Sequence, residues 1–355
     1  MSTEYHHGLL LLPDISGFTE FVSAVEISHS QHVINNLLEL LLSHNQLALE
    51  LSEIEGDALF FYRRGDPPAL AEFNGQIDVW INAFHARLKR LQRDTYCKCG
   101  ACQSIGNLGL KVVGHWGEFA LNVLHNKSQV VGRDVILVHR MLKNSLPLRE
   151  YALLSHALLE RLAAEPGGFA AHREAYEVLG EVGMGYVDLS HVRAQVPVPP
   201  HEPQPAPEAS IAVEVALPAR MEDLVALITD LAGWPTWIAG LESVTLDRTA
   251  PLHAGLRHDY AVLDREREVR IAQIRESADA FVLCDEIQPP FPLKRLRWQH
   301  QVTATPEGVI YRTALLYDRQ PWLGRLFDLL AGRKLRALLA ATAENLRRRF
   351  PGPAA

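Results

Sequence analysis

Cysteine is scarce, with four in 355 residues, which excludes a disulfide-stapled scaffold. Long apolar runs are also missing. The run Leu9–Leu12 near the N-terminus falls far short of the roughly 20 residues that span a bilayer. Basic charge is not in excess. The net charge is -7, which argues against a general affinity for nucleic acid, because phosphate binding needs clustered Lys and Arg. Met1–His7 carries no Lys or Arg, so no leader peptide is read and a cytoplasmic protein is expected. Internal repeats are absent. What is present is an ordinary globular composition, 48% apolar and 22% charged, at a length that suggests two domains of about 100–200 residues each.

The boundary between them is chemical. Gln195–Ala209 reads QVPVPPHEPQPAPEA and holds six of the 21 prolines. Proline fixes φ and removes backbone donors, so this stretch reads as a stiff extended spacer. The expected division is therefore 1–194, a linker 195–209, and 210–355. The first part carries 16 Lys+Arg against 22 Asp+Glu, the remainder 19 against 20.

Hydropathy patterning of the first part predicts alternating strands and helices. Leu9–Leu12 reads as a strand ending at Pro13-Asp14, and Phe18–His44 as a helix broken once. Leu47–Ile54 and Ala58–Tyr62 read as paired strands joined at Glu55-Gly56-Asp57. A helix follows Pro67. Strands return at Leu108–Gly114 and Phe119–Leu124, and another helix starts after Gly132. The order β-α-β-β-α-β predicts an α+β sandwich with helices against a mainly antiparallel sheet.

Two carboxylates stand out. Asp14 closes an apolar strand and Asp57 sits at a hairpin turn. If the strands are neighbours the two meet, and paired hard oxygen ligands suit Mg²⁺ or Mn²⁺ beside a phosphate. Each alone also fits ordinary turn chemistry.

The strand end DISGFT, the hairpin EGDALFFY and the later VVGRDVILVHRM together resemble, in order, the signature segments of class III adenylyl and guanylyl cyclases over about residues 8–190. The resemblance implies that Asp14 and Asp57 are metal ligands. It places Glu53 at the base-selecting position, where a carboxylate favours GTP over ATP, and Gln129 at the second base contact. Arg140 falls at the position that stabilises the pentavalent phosphorus. It also implies a homodimer, since such sites form between two domains. Two departures weigh against turnover. Ile136 stands where the family has asparagine, and Gly183-Met184-Gly185 lacks the phosphate-binding lysine. Each such donor is typically worth about 10²–10³ in rate.

Cys97, Cys99 and Cys102 lie together between a helix and a strand. Clustered thiols of this spacing suit a structural Zn²⁺. A fourth ligand is then required, with His115, His85, His125 or a residue of a second subunit as candidates. His29, like the remaining histidines before residue 195, reads as scattered.

The second part predicts a strand at Ile211–Leu217, a helix at Met221–Leu231, several strands between Ser243 and Tyr317, and a long helix from Trp322 to Arg349. Trp234-Pro235-Thr236-Trp237, with this series, resembles the SRPBCC superfamily, which includes START and polyketide-cyclase-like domains. The resemblance implies a helix-grip fold around a cavity for a small apolar ligand. Alternation puts Trp298 and His300 on one strand face, and His258 and Tyr260 on another. Facing inward, these four would orient the ligand; equally, they would be partnered core residues. The basic excess of the last helix fits a solvated face better than a membrane surface.

The combined expectation is a signalling or sensing protein, in which a divergent cyclase-like domain binds a metal–nucleotide and an SRPBCC domain binds an apolar molecule. The competing expectations are an active nucleotide cyclase and a catalytically dead scaffold.

Overall fold

The computed structural model describes residues 5–23, 27–124, 127–165, 167–200, 206–247, 249–262, 265–320 and 324–352. The chain forms two compact units, Met1–Arg93 with Lys98–Pro200, and Asp94–Cys97 with His201–Ala355.

The first unit is α+β. Its elements in chain order are β1 (Tyr5–Ser16), α1 (Phe18–Ser23), α2 (Ile27–Ser43), β2 (Glu50–Glu55), β3 (Ala58–Arg64), α3 (Leu70–Asp94), α4 (Gly100–Ser104), β4 (Gly109–Leu124), β5 (Lys127–Val131), α5 (Arg133–Met141), β6 (Tyr151–Ser155), α6 (His156–Arg161), β7 (Ala170–Tyr176), β8 (Gly180–Asp188) and α7 (Val192–Gln195). The sheet order is β2-β3-β1-β4-β6-β8-β7, with β5 added to β4. The pairs are antiparallel except β4 with β6.

β1 lies inside this sheet, which explains its unbroken apolar run. Leu9–Leu12 are fully buried because both faces are covered. The strand does not stop at Pro13 as the proline suggests; it continues to Ser16. Between the pairs Leu11↔Phe61 and Asp14↔Ala58 the ladder to β3 skips Leu12 and Pro13, while the pairing to β4 is continuous. A residue without an N–H is tolerated where one ladder is interrupted.

The strands expected at Leu108–Gly114 and Phe119–Leu124 are one strand, β4. Gly114 and Gly117 lie where the two expected strands part, and they mark close approach. A Cβ on Gly114 would sit 2.8 Å from Leu158, and one on Gly117 2.3 Å from Asp134. Helix is present over Phe18–Ser23 and Ile27–Ser43; residues 24–26, where the expected break would fall, lie outside the described residues.

The second unit contains β9 (Ala209–Leu217), α8 (Met221–Thr229), a 3₁₀ turn (Leu231–Thr236), β10 (Leu241–Leu246), β11 (Arg257–Val262), β12 (Arg265–Glu276), β13 (Ala280–Ile287), β14 (Leu293–Thr305), β15 (Gly308–Arg319) and α9 (Gly324–Arg349). Its seven strands form an antiparallel sheet in the order β10-β11-β12-β13-β14-β15-β9. Leu339, Ala343 and Leu346 of α9 enter its core with Trp234, Trp237, Phe281 and Tyr311. Asn345 donates to the Trp237 carbonyl at 3.0 Å, and Thr342 accepts from the Ala239 amide at 3.1 Å, tying α9 to the turn. Trp322, Leu323 and the side chains of Leu326, Phe327 and Leu330 lie outside the described residues, as do His201–Pro205 of the proline-rich stretch.

Candidate functional site

Asp14 and Asp57 converge. Asp14 pairs with Ala58 on β3, the residue after Asp57, and the Ile15 amide donates to the Asp57 carbonyl at 3.1 Å. The other neighbour of Asp14 is Lys111 on β4, whose ammonium lies 2.8 Å from the Asp14 carboxylate. Burial, and then the charge of Asp14, push the Asp57 carboxyl up to about 6. Lys111 is half-buried; desolvation lowers its pKa, but the charge and hydrogen bond of Asp14, joined by the charges of Tyr151 and Asp57, together outweigh that and raise it. The site thus holds two carboxylates and one ammonium. Their donor set suits a hard divalent ion, provided the lysine gives up its place beside Asp14.

Glu53 and Gln129 also meet. The Gln129 amide donates to the Glu53 carboxylate at 2.8 Å, bridging β2 and β5. Both reach solvent, so this acceptor–donor pair is open to an incoming planar group.

Arg140 is exposed on the last turn of α5. Its neighbour His139 faces the hairpin, with Nε2 2.8 Å from Glu55 Oε1 and its ring edge-on to Phe60. Ile136 is likewise exposed. At Gly183 a Cβ would lie 2.5 Å from His156 Nδ1, so the stretch without the lysine receives a histidine ring in its place.

Cys97, Cys99 and Cys102 gather with His29, their ligand atoms all within 4.8 Å of one another. His29 Nδ1 lies 3.4 Å from Cys99 Sγ and 4.0 Å from Cys102 Sγ. Tetrahedral arms of about 2.3 Å to sulfur and 2.0 Å to nitrogen give N···S edges of roughly 3.5 Å, so three thiols and one imidazole fit a tetrahedral metal. None of the cysteines is in a disulfide. The sequence candidates for the fourth ligand are engaged elsewhere. His85 Nε2 is 3.0 Å from Glu150, and His115 Nδ1 is 2.8 Å from Ser155. His125 lies outside the described residues. His29 is far upstream, and nothing in the local sequence marks it.

In the second unit His258, Tyr260, Trp298 and His300 are all buried. Rings of Trp234, Trp237, Tyr260, Trp298, His300 and Tyr311 meet at centroid distances of 4.8–6.3 Å. Tyr260 donates to Asp285, a fully buried acid not singled out by the sequence, and His258 Nε2 approaches the same carboxylate at 3.7 Å. His300 Nδ1 is 2.7 Å from the Tyr311 hydroxyl. Burial pushes the His300 imidazole down to about 3 and, together with Asp285, the Tyr260 phenol well up. Both ring nitrogens of His258 and Nε2 of His300 have no hydrogen-bond partner among the described residues. Orphaned buried nitrogens cost free energy unless something accepts or donates to them.

Comparison with known proteins follows the two units. Residues 34–151 match the family model described as a protein of unknown function, DUF2652. Residues 208–351 match the model for polyketide cyclase, dehydrase and lipid transport proteins. The adenylyl cyclase CyaB from P. aeruginosa is similar at 15% identity and a TM-score of 0.38, over 53% of this chain and 97% of that one. The guanylyl cyclase Cya2 is similar at 16% identity and 0.39, over 52% and 93%. A bacterial light-regulated adenylyl cyclase is similar at 11% identity and 0.38; this chain spans 53% of its length. Among curated proteins, the uncharacterized Mycobacterium tuberculosis protein Rv2561/Rv2562 is 31% identical over 154 residues, covering 43% of this chain and 72% of that protein. The chain belongs to the family of that uncharacterized mycobacterial protein.

Proposed function

We propose that the protein is a cytoplasmic sensor in which the first unit binds a nucleoside triphosphate without efficient turnover and the second binds a small, largely apolar molecule. The observation that carries the first half is the meeting of Asp14 and Asp57 beside Lys111. In this reading the two carboxylates hold Mg²⁺ or Mn²⁺ when nucleotide enters. Lys111 then turns from Asp14 to the phosphates and supplies the cation that Gly183–Gly185 lacks. Glu53 and Gln129 read the base, guanine being favoured because a carboxylate accepts from its N–H donors. The exposed Arg140 serves a second copy of the chain, which makes the working form a homodimer.

For the second half, the support is the match of residues 208–351 to lipid-transport-type proteins and the buried polar tips of His258, Tyr260 and His300 within an apolar interior. Trp298, whose indole donates to Thr313 at 2.9 Å, walls that interior. The thiol–imidazole cluster is read as a structural Zn²⁺ staple of the loop before β4, and its unoxidised cysteines suit a reducing compartment.

The test is calorimetric titration of the full chain with GTP and ATP, each with Mn²⁺, alongside mass spectrometry for cyclic product. Binding of GTP without product supports the reading. Cyclic product abolished by Asp57→Ala replaces it with an active cyclase. Absence of binding by either nucleotide leaves a scaffold.

A further inference from the structure

The first unit contains a cavity of about 290 Å³, remote in the chain from Asp14 and Asp57, whose lining includes Asp134, His115, Ser155, His156, Arg133 and Gly183. Three of these stand in line, two joined by a hydrogen bond and the third by charge. His115 Nδ1 is 2.8 Å from Ser155 Oγ, and His115 Nε2 is 3.7 Å from Asp134 Oδ1. The serine and the histidine are 2% and 5% exposed, so the pair is shielded from bulk water while bordering the cavity.

The placement of the protons follows from the partners. The Leu158 amide donates to Ser155 Oγ at 3.2 Å. That bond fills one of the two lone pairs of the serine oxygen; the Asp134 carboxylate, which only accepts, favours the ring proton on the Nε2 side, and the serine proton then goes to His115 Nδ1. Nδ1 is thus the acceptor and Nε2 carries the ring proton. Among the described residues Nε2 has no hydrogen-bond partner, so Asp134 is its neighbour by charge. Asp134 is itself fixed, since the Glu118 amide donates to its Oδ2 at 2.7 Å. Gly117 is the residue that admits it, because a Cβ there would lie 2.3 Å from the carboxylate. The imidazole of His115 and that amide hold the Asp134 carboxyl below its usual range, so it is ionised at neutral pH. A carboxylate facing an imidazole that takes the proton of a serine beside a cavity is the arrangement that makes serine a nucleophile.

We propose that Ser155, His115 and Asp134 form an acyl-transfer site, with Ser155 as nucleophile, His115 as general base and Asp134 as the positioning residue, acting on small esters. In the first step Ser155 Oγ bonds to the ester carbonyl carbon and its proton passes to His115 Nδ1. The carbon–alkoxide bond breaks and the alkoxide leaves with that proton. Water then attacks the acyl-serine, His115 takes its proton and returns it to Ser155, and the acid is released. No metal, nucleotide or redox partner enters, so the proposal stands apart from the nucleotide reading.

The experiment uses the full-length chain. A fluorophosphonate forms a phosphorus–oxygen bond with an activated serine and loses fluoride. The expected result is one label per chain, mapped by peptide mass spectrometry to Ser155, with a labelling rate about a hundredfold lower in His115→Gln. Asp134→Asn is expected to lower the rate while leaving the melting temperature near that of the wild type. Turnover of p-nitrophenyl butyrate should be lost in the labelled protein. Folded wild-type protein that stays unlabelled at Ser155 under excess probe overturns the proposal, and so does equal labelling of a folded His115→Gln variant. If either variant fails to fold, the mapped site on the wild type decides alone, because a serine serving only to cap α6 gives no label there.

Discussion

The Lys111 ammonium lies 2.8 Å from the Asp14 carboxylate, on the register that also brings β3 and Asp57 alongside. A lysine in this place repels any cation approaching the pair. Replacing it with a neutral residue removes that repulsion and frees an oxygen ligand. Lys111→Ala is therefore expected to bind Mn²⁺ alone about tenfold more tightly, a gain of about 1.4 kcal/mol, and GTP more weakly, as read by calorimetry. Unchanged affinity for both would remove Lys111 from the site.

Asp57 predicts a dependence on pH. Its native pKa of about 6 lies above the ordinary 3.8. The folded protein keeps a proton that the unfolded chain has released, so this carboxyl favours folding most below pH 3.8, and that contribution is lost as pH rises through 6. Asp57→Asn should then stabilise the protein at pH 7.5 and give no gain at pH 4. With Asp57 only partly buried, screening reduces the effect to on the order of 1 kcal/mol. Thermal melts at both pH values check this, and a variant less stable than wild type at pH 7.5 contradicts the assignment.

The imidazole–thiol cluster predicts metal dependence. Protein purified without added metal is expected to hold about one equivalent of zinc, and a chelator should lower its melting temperature. Both His29→Ala and Cys99→Ser should fall below about 0.3 equivalents, whereas His85→Ala should retain its zinc. Full zinc content in His29→Ala would return the fourth ligand to the search.

The sequence disclosed the polar ends of this molecule better than their partners. Asp14 and Asp57 are visible because each follows or interrupts an apolar run, whereas Glu53 and Gln129 are marked only by the resemblance to class III cyclases. Lys111 carried a signal too, as the one charged residue in Leu108–Gly114. Its meaning depends on which β4 residue pairs with Asp14, and register is a property of the assembled sheet. His29 offered no signal, since its contact with Cys99 joins segments that only the folded chain brings together. The expectation of two strands where β4 is one failed for a related reason, at Gly114 and Gly117. Glycine inside a strand marks either an end or a close approach, and here Leu158 and Asp134 fill the space. In the second unit the strand alternation placed Trp298 and His300 on one face, but Asp285, on the neighbouring strand, had no motif to announce it.

His300 gives the second unit its own response to acid. The ring is fully buried against Trp234 at 4.8 Å and bonded to Tyr311, and burial alone holds its pKa near 3. An exposed histidine in the unfolded chain titrates near 6.5. The unfolded state therefore binds a proton that the native state refuses. The stability linked to this residue is complete above pH 6.5 and is lost as pH falls toward 3, with a slope of at most about 1.4 kcal/mol per pH unit. Urea melts followed by tryptophan emission between pH 7 and 4.5 should show this slope in the wild type. His300→Gln, which does not titrate, should lose that share of it while starting from a lower stability at pH 7, because the Tyr311 contact is disturbed. Parallel slopes in the two proteins would mean that His300 takes up its proton as readily in the folded state as in the unfolded chain, which contradicts the hold of burial on its imidazole.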